Sequence, residues 1–274
     1  MEYPNYSVLM SVYKKENPTF LRESMMSIYN QTVPTNDFVL VCDGPLTDEL
    51  EAVIQDMQKL FLERLFVCRL VSNRGLGLAL NEGLKHCKND YVARMDSDDI
   101  SRTNRCEQQL KVFMEKPSVS IVSGIVEEFA NNVNRIDARR IVPENQEEII
   151  EFAKKRNPFN HPCVMYKKSA VEKVGSYQDF YLLEDYYLWI RMLLAGCKGY
   201  NLQHPLLWMR AGSAMYNRRS GIAYVKSQIE LFNYMRKNTV INNCQFVVEC
   251  CTRIIGSMIP NKLRRLIYKY NYRG

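Results

Sequence analysis

Three carboxylates crowd into four positions of the stretch YVARMDSDDI, residues 91 to 100: Asp96, Asp98 and Asp99. Carboxylates this close repel one another, and one would hold its proton to a raised pH unless a cation were shared among them. A divalent ion, Mn2+ or Mg2+, meets that need, because it prefers oxygen ligands and completes its shell with phosphate oxygens of a substrate. The competing reading is a helix cap. Asp98 and Asp99 would then stabilise the N-terminus of a helix starting near Arg102.

Other residues of chemical interest stand at comparable places. Asp43, before Gly44-Pro45, is either turn chemistry or a carboxylate acceptor. Tyr13 is either core or a plate on which a base stacks. Arg74, in Asn73-Arg74-Gly75, is either a solvated charge or a nucleotide contact. Glu184 and Asp185 open the run YYLWIRMLLAG, either as acids suited to a helix's first turn or as a site for a general base. His161-Pro162 reads as a turn that positions a strand, and His204-Pro205 as a loop turn. Arg210, Arg218 and Arg219 either flank a loop that closes over a diphosphate, which guanidinium groups suit, or form a solvated basic loop.

These residues need a scaffold that gathers them. Short β-rich runs occupy 6–13, 37–43, 65–71, 91–96 and 119–129, and helical spacing occupies 18–30, 46–60, 75–87 and 104–115. The alternation predicts βαβ units and a mostly parallel sheet covered on both faces. In such a sheet, ligands bind outside the carboxyl ends of the strands. Tyr13, Asp43, Arg74 and the acidic cluster each follow one of the first four strands, so together they describe a nucleotide-diphosphate site. Beyond residue 130 the spacing predicts a loop or hairpin over 131–140, helices over 145–156, from about 184, and over 218–237, and a strand over 199–210.

The 274 residues are 46% hydrophobic and 24% charged, an ordinary globular composition. The net charge of +7 is too small to imply a protein-wide nucleic-acid field, and its excess sits beyond Glu249, where six basic residues follow without an acid. Nine cysteines without a CxxC pair suggest neither a disulfide framework nor a zinc site, and so reduced thiols in a reducing compartment. No signal peptide or membrane span is read, which predicts a cytoplasmic protein. The tail, 244–274, alternates apolar and basic residues at helical spacing. It suits either a helix lying on an anionic membrane surface or a packing helix.

Together, VLMSVYKKE, LVCDG, SNRGLGLALNEGL, MDSDD, HPCVMYKKSAVEKVGSY and LLEDYYLWIRMLLAG resemble the GT-A glycosyltransferases of family 2, over residues 5 to 220. The resemblance implies an α/β, Rossmann-like fold with a helical basic C-terminal tail, and an inverting enzyme of the bacterial polysaccharide-biosynthesis type. The donor would be a nucleotide-sugar, a UDP-sugar, and the acceptor a glycan or lipid-linked saccharide. Residues 1–130 would form the donor half, 131–240 the acceptor half and 241–274 the tail. By the same resemblance, Ser11, Val12, Tyr13, Glu16, Asp43, Asn73, Arg74, Asp96 and Ser97 would surround the donor nucleotide. Tyr13 would stack on the base, Asp43 would accept a hydrogen bond from it, and Asp96 would hold the ribose. Asp98 would ligate Mn2+ or Mg2+, and Asp185 would be the general base with Glu184 beside it. His161, Arg210 and Arg218 would line the acceptor or diphosphate side. Many relatives place a histidine two residues after the matching arginine, where this chain has Gly212.

Three other classes fare less well. A nicotinamide enzyme would need a third glycine where Leu80 stands, in a segment after the first strand. A nucleotidyltransferase would want a glycine-rich loop after the first strand, and Tyr13-Lys14-Lys15-Glu16 has none. Nucleic-acid binding would want a recognised module beside the basic run. A non-catalytic nucleotide-sugar binding scaffold is the remaining alternative.

Overall fold

Seven elements alternate in the first 96 residues: β1 (Tyr6–Val12), α1 (Pro18–Tyr29), β2 (Asp37–Cys42), α2 (Asp48–Phe61), β3 (Leu65–Arg69), α3 (Leu76–His86) and β4 (Tyr91–Asp96). The structure is a computed structural model that describes residues 2–211 and 221–258. β1 and β2 are near-continuous apolar runs because both their faces are covered. Along β1, Tyr6, Val8, Met10 and Val12 face α1, α2 and α4, while Leu9 packs with Val39, Val41 and residues of α3 and α7.

The second half comprises β5 (Ile100–Ser101), α4 (Arg105–Glu115), β6 (Val119–Phe129), β7 (Ala138–Arg140), α5 (Gln146–Ala153), β8 (Met165–Lys167), α6 (Lys168–Lys173), α7 (Glu184–Leu194), β9 (Lys198–Arg210), α8 (Ile222–Lys237) and α9 (Asn243–Met258). The strands order as β3-β2-β1-β4-β8-β6-β9-β5, with β7 on β6. β1 to β4 are mutually parallel. The short β8 runs antiparallel to both β4 and β6, so β6 and its parallel partner β9 point the same way as β1 to β4. The sheet is therefore mostly parallel, as the alternation predicts. The segment 131–140 is the predicted hairpin, its return strand being β7.

Strand order turns around at β1, since β2 and β3 lie on one side of it and β4 on the other. In open sheets of this kind the loops leaving the carboxyl ends of such neighbouring strands part, and ligands bind between them. A third core joins α7, α8 and α9: Leu183, Tyr186 and Ile190 pack with Leu231, Phe232, Met235 and Ile241, and Phe246 lies against them. All nine cysteines are free thiols, five of them buried. Among the described residues no helix is long and apolar enough to cross a membrane.

Candidate functional site

The acidic cluster sits at the switch point. Ser11 and Asp96 are register partners at the carboxyl ends of β1 and β4. Asp96, Asp98 and Asp99 each offer one oxygen, all within 4.8 Å of one another. Glu16, in the loop after β1, reaches the same place: its Oε2 accepts from Ser97 Oγ at 2.7 Å, and its Oε1 from the backbone N–H of Asn17 at 2.8 Å. Burial, then the charges of Asp96 and Glu16, push Asp98 up to about 7. Asp99 is buried, and burial followed by the Asp98 and Asp96 charges holds its carboxyl well above the usual range. Its Oδ1 accepts from the Arg210 backbone N–H at 2.8 Å, whereas Oδ2 is buried with no partner.

The helix-cap reading of Asp98 and Asp99 does not hold. β5 follows them, and α4 starts only at Arg105, with Asn104 at its N-cap. Hard oxygen donors, mutual repulsion and one orphaned carboxylate oxygen fit a divalent cation.

A residue that the sequence reading missed lies behind the cluster. Arg94, 1% exposed, donates from Nη2 to Asp96 Oδ1, and its Nε and Nη1 are buried without partners. Residues i and i+2 of a strand share a face, so Arg94 and Asp96 point the same way. The available signal was an arginine inside an otherwise apolar strand. Arg105, fully buried too, donates to the carbonyl oxygens of Arg94 and Val164 at 2.6 and 3.2 Å, tying β4 to the residue before β8. Replacing Arg94 with methionine is expected to destabilise the fold by about 3 kcal/mol, since Asp96 loses its buried counter-charge while the carboxylates of Asp98 and Asp99 remain beside it. Chemical denaturation measures it.

On the β2 side, Asp43 is a buried anchor. Its carboxylate accepts from Asn73 Nδ2 at 2.9 Å and from the backbone N–H groups of Arg74 and Gly75 at 2.7 and 3.0 Å. Gly44 makes that contact possible: at φ +87 it adopts a conformation that glycine tolerates, and a Cβ there would lie 2.7 Å from the Asn73 nitrogen. The Asp43 N–H in turn donates to Val12 O at 2.8 Å. These bonds seat the exposed Arg74 and the 36%-exposed Tyr13 on adjoining loops at one rim.

On the other side, α7 begins at Glu184 with no side-chain cap. Asp185 Oδ2 accepts from Asn157 Nδ2 at 2.7 Å, and Oδ1 from the Tyr186 N–H at 2.7 Å. α3 meets this helix at Gly77, where a Cβ would lie in ordinary contact distance of Glu184 Cβ, 3.4 Å, and Tyr177 Cβ, 3.6 Å. The loop bearing Arg74 is thereby brought up to the start of α7. His161, in a 3-10 turn leading into β8, is buried, and its Nε2 is 2.9 Å from Tyr177 Oη. Burial, then the Arg94 charge, depresses its pKa well below the ordinary value, so the imidazole is neutral.

Arg210 is held by Glu23 and lies over the rings of Phe20 and Phe129, 3.9 and 4.9 Å from their centroids. Arg218, Arg219 and Gly212 lie outside the described residues. His204-Pro205 proves to be no loop turn: it falls within β9, where the pairing with β6 shifts register between Gly124 and Ile125. The sequence pattern could not distinguish a bulge from a turn, because both suit His-Pro.

Residues 7–175 match the family model described as Glycosyl transferase family 2. The chain belongs to that family. Among similar family proteins is the UDP-Gal:alpha-D-GlcNAc-diphosphoundecaprenol beta-1,3-galactosyltransferase of Escherichia coli, 40% identical over 97% of this chain and 96% of that one. The amylovoran biosynthesis glycosyltransferase AmsE of Erwinia amylovora is 35% identical over 98% of this chain and 100% of its own length. The mannosyltransferase PcManGT of Pyrobaculum calidifontis, solved in complex with GDP-Man and Mn2+, shares the fold at a TM-score of 0.66 and 13% identity, covering 98% of this chain and 82% of that one. The protein is thus a family 2 glycosyltransferase with a GT-A fold.

Proposed function

We propose that this family 2 glycosyltransferase moves a sugar from a UDP-sugar to a hydroxyl of a glycan or lipid-linked saccharide in polysaccharide biosynthesis. Transfer is metal-dependent and inverts the anomeric carbon. The observation that carries this reading is the meeting of three carboxylate oxygens within 4.8 Å at the switch point of the sheet. The UDP-Gal donor and the diphosphoundecaprenol acceptor in the name of the Escherichia coli relative support the choice of substrates.

In this reading, residues 1–130 hold the donor, 131–240 the acceptor, and 241–274 keep the enzyme at the periphery of a membrane. Tyr13 stacks on the uracil, and Asp43, besides anchoring the Asn73–Arg74 loop, accepts from the base edge. Ser11, Val12 and Arg74 line the base and ribose, and Asp96 holds the ribose hydroxyls. Asp98, with Asp99 and Asp96 beside it, would hold the cation, and Glu16 braces this loop through Ser97. When bound, Mn2+ or Mg2+ supplies Lewis acidity to the departing diphosphate.

The acceptor oxygen attacks the anomeric carbon from the face opposite the diphosphate. As the new C–O bond forms, the bond from carbon to diphosphate oxygen breaks, and UDP departs with the electron pair. The acceptor's proton passes to a carboxylate oxygen of Asp185. Asn157 fixes the rotamer of that carboxylate, and Glu184 orients the acceptor. His161, kept neutral, supports the acceptor wall through Tyr177, and Arg210 and Arg218 stand on the diphosphate side.

Thermal melts with a panel of nucleotide-sugars, each with and without Mn2+, test the reading. A UDP-sugar with Mn2+ is expected to stabilise the chain by about 2.7 kcal/mol at a hundredfold excess over its Kd. Stabilisation by a GDP-sugar alone, or an effect indifferent to the metal, would overturn it.

A further inference from the structure

α9 wears its faces the wrong way round for a surface helix. Its charged pair is turned inward: Arg253 Nη2 donates to Lys155 O and to Glu249 Oε2 at 3.3 Å, and the guanidinium lies 5.3 Å from the Phe232 ring centroid. Phe246 packs into the third core on the same side. The outward positions are Cys244, Val247, Val248, Cys251 and Ile255, with Val248 60% and Ile255 62% exposed. Their spacing of three and four residues sets them in one stripe. An amphipathic helix on a water-facing surface would show the opposite arrangement.

The charge of the adjoining chain says what covers that stripe. Residues 259–274 contain Lys262, Arg264, Arg265, Lys269 and Arg273 and no acid. A second copy laid on the stripe would bring two such basic runs to one interface, whereas an anionic lipid surface accepts both the hydrocarbon and the charge. We infer that the outward face of α9 docks the enzyme onto an anionic membrane surface, apolar stripe down.

The place of α9 gives that docking a purpose. Arg253 rests on the carbonyl of Lys155, and two residues further on Asn157 holds Asp185. Tyr186, next to Asp185, donates its hydroxyl to Ala153 O at 2.6 Å, and it belongs to the core cluster on which Phe246 lies. The stripe therefore stands about one helix diameter, roughly 10 Å, from the elements that hold Asp185. A saccharide on a membrane lipid would be presented on the base's side of the crevice. This purpose rests on the lipid-linked acceptor proposed above.

Co-sedimentation of the full chain with phosphatidylglycerol vesicles, against phosphatidylcholine vesicles, tests the docking. The wild type is expected to sediment with the anionic vesicles, and Val248→Glu with Ile255→Glu to lower its partition at least about tenfold. Because both side chains are solvent-facing, the variant should keep its melting curve and its UDP-sugar stabilisation in solution. Serine at the same two positions is a milder arm with the same direction. Unchanged sedimentation of the glutamate variant overturns the inference. So does a wild-type dimer in light scattering that the variant dissolves while neither binds vesicles. UDP-sugar stabilisation is read without vesicles, so its loss sinks the transferase reading alone, and docking can fail while it persists.

Discussion

Asp185→Asn is expected to lower sugar transfer by about 10²- to 10⁴-fold while leaving UDP binding almost unchanged. The amide keeps the shape of the carboxylate but cannot take a proton from the attacking hydroxyl. Stability should move little, because the residue stands in the first turn of α7, where an acid contributes about 0.3–1 kcal/mol through the helix dipole. Asn157 donates to the Asp185 carboxylate at 2.7 Å, so the variant can keep one hydrogen bond only by presenting its own carbonyl oxygen there. Steady-state kinetics with saturating donor, beside calorimetry with UDP and Mn2+, separates the two effects. If donor affinity fell in step with the rate, Asp185 would belong to the donor pocket and the assignment of the base would be lost.

The βαβ half of the fold could be read in advance because local periodicity governs it. β1, β2 and β4 are short apolar runs, and the helices between them begin at recognisable caps such as Asn17 before Pro18 and Thr47. The candidate donor residues followed at once, since in an open parallel sheet everything at a strand's carboxyl end shares a rim. β8 is the strand that the His161-Pro162 turn positions, but at three residues long nothing local says that it will insert between β4 and β6.

What stayed hidden depends on distant contacts. The partners of Arg94 and Arg105 could not be read from the sequence, because an arginine is buried only where acceptors from other elements surround it. The link between Glu16 and Ser97 spans 81 residues, and that between the Arg210 N–H and Asp99 spans 111. The tail shows the same limit in another form. Its apolar and basic alternation predicts an amphipathic helix, either on a membrane or packed against the domain. Over 243–258 one face of the helix packs on the domain, with the Arg253–Glu249 pair inside, and valine and isoleucine are left outside. Periodicity identifies two faces, and only the neighbours decide which one is covered.

Asp98 offers the second large effect, and its sign follows from the neighbours. Its pKa in the folded chain, about 7, exceeds the ordinary 3.8. Between those values the folded state binds more protons than the unfolded one, so stability without metal falls as pH rises from about 4 to about 7, and the loss is complete above that. Asp99 is displaced in the same direction, which steepens the trend. A divalent cation competes with these protons. Its affinity should therefore climb up to about tenfold per pH unit below 7 and level off above. Asp98→Ala removes a ligand and is expected to abolish metal-dependent UDP binding in calorimetry. Asp98→Asn, which keeps the volume and discards the charge, should raise the melting temperature of the metal-free chain at pH 7.5 by on the order of 5 °C. It should also flatten its decline from pH 5. The two variants separate the ligand from the charge: a metal-free melt that stays level with pH in the native chain would mean that Asp98 is ionised throughout. The repulsion that makes a cation necessary at this rim would then be missing.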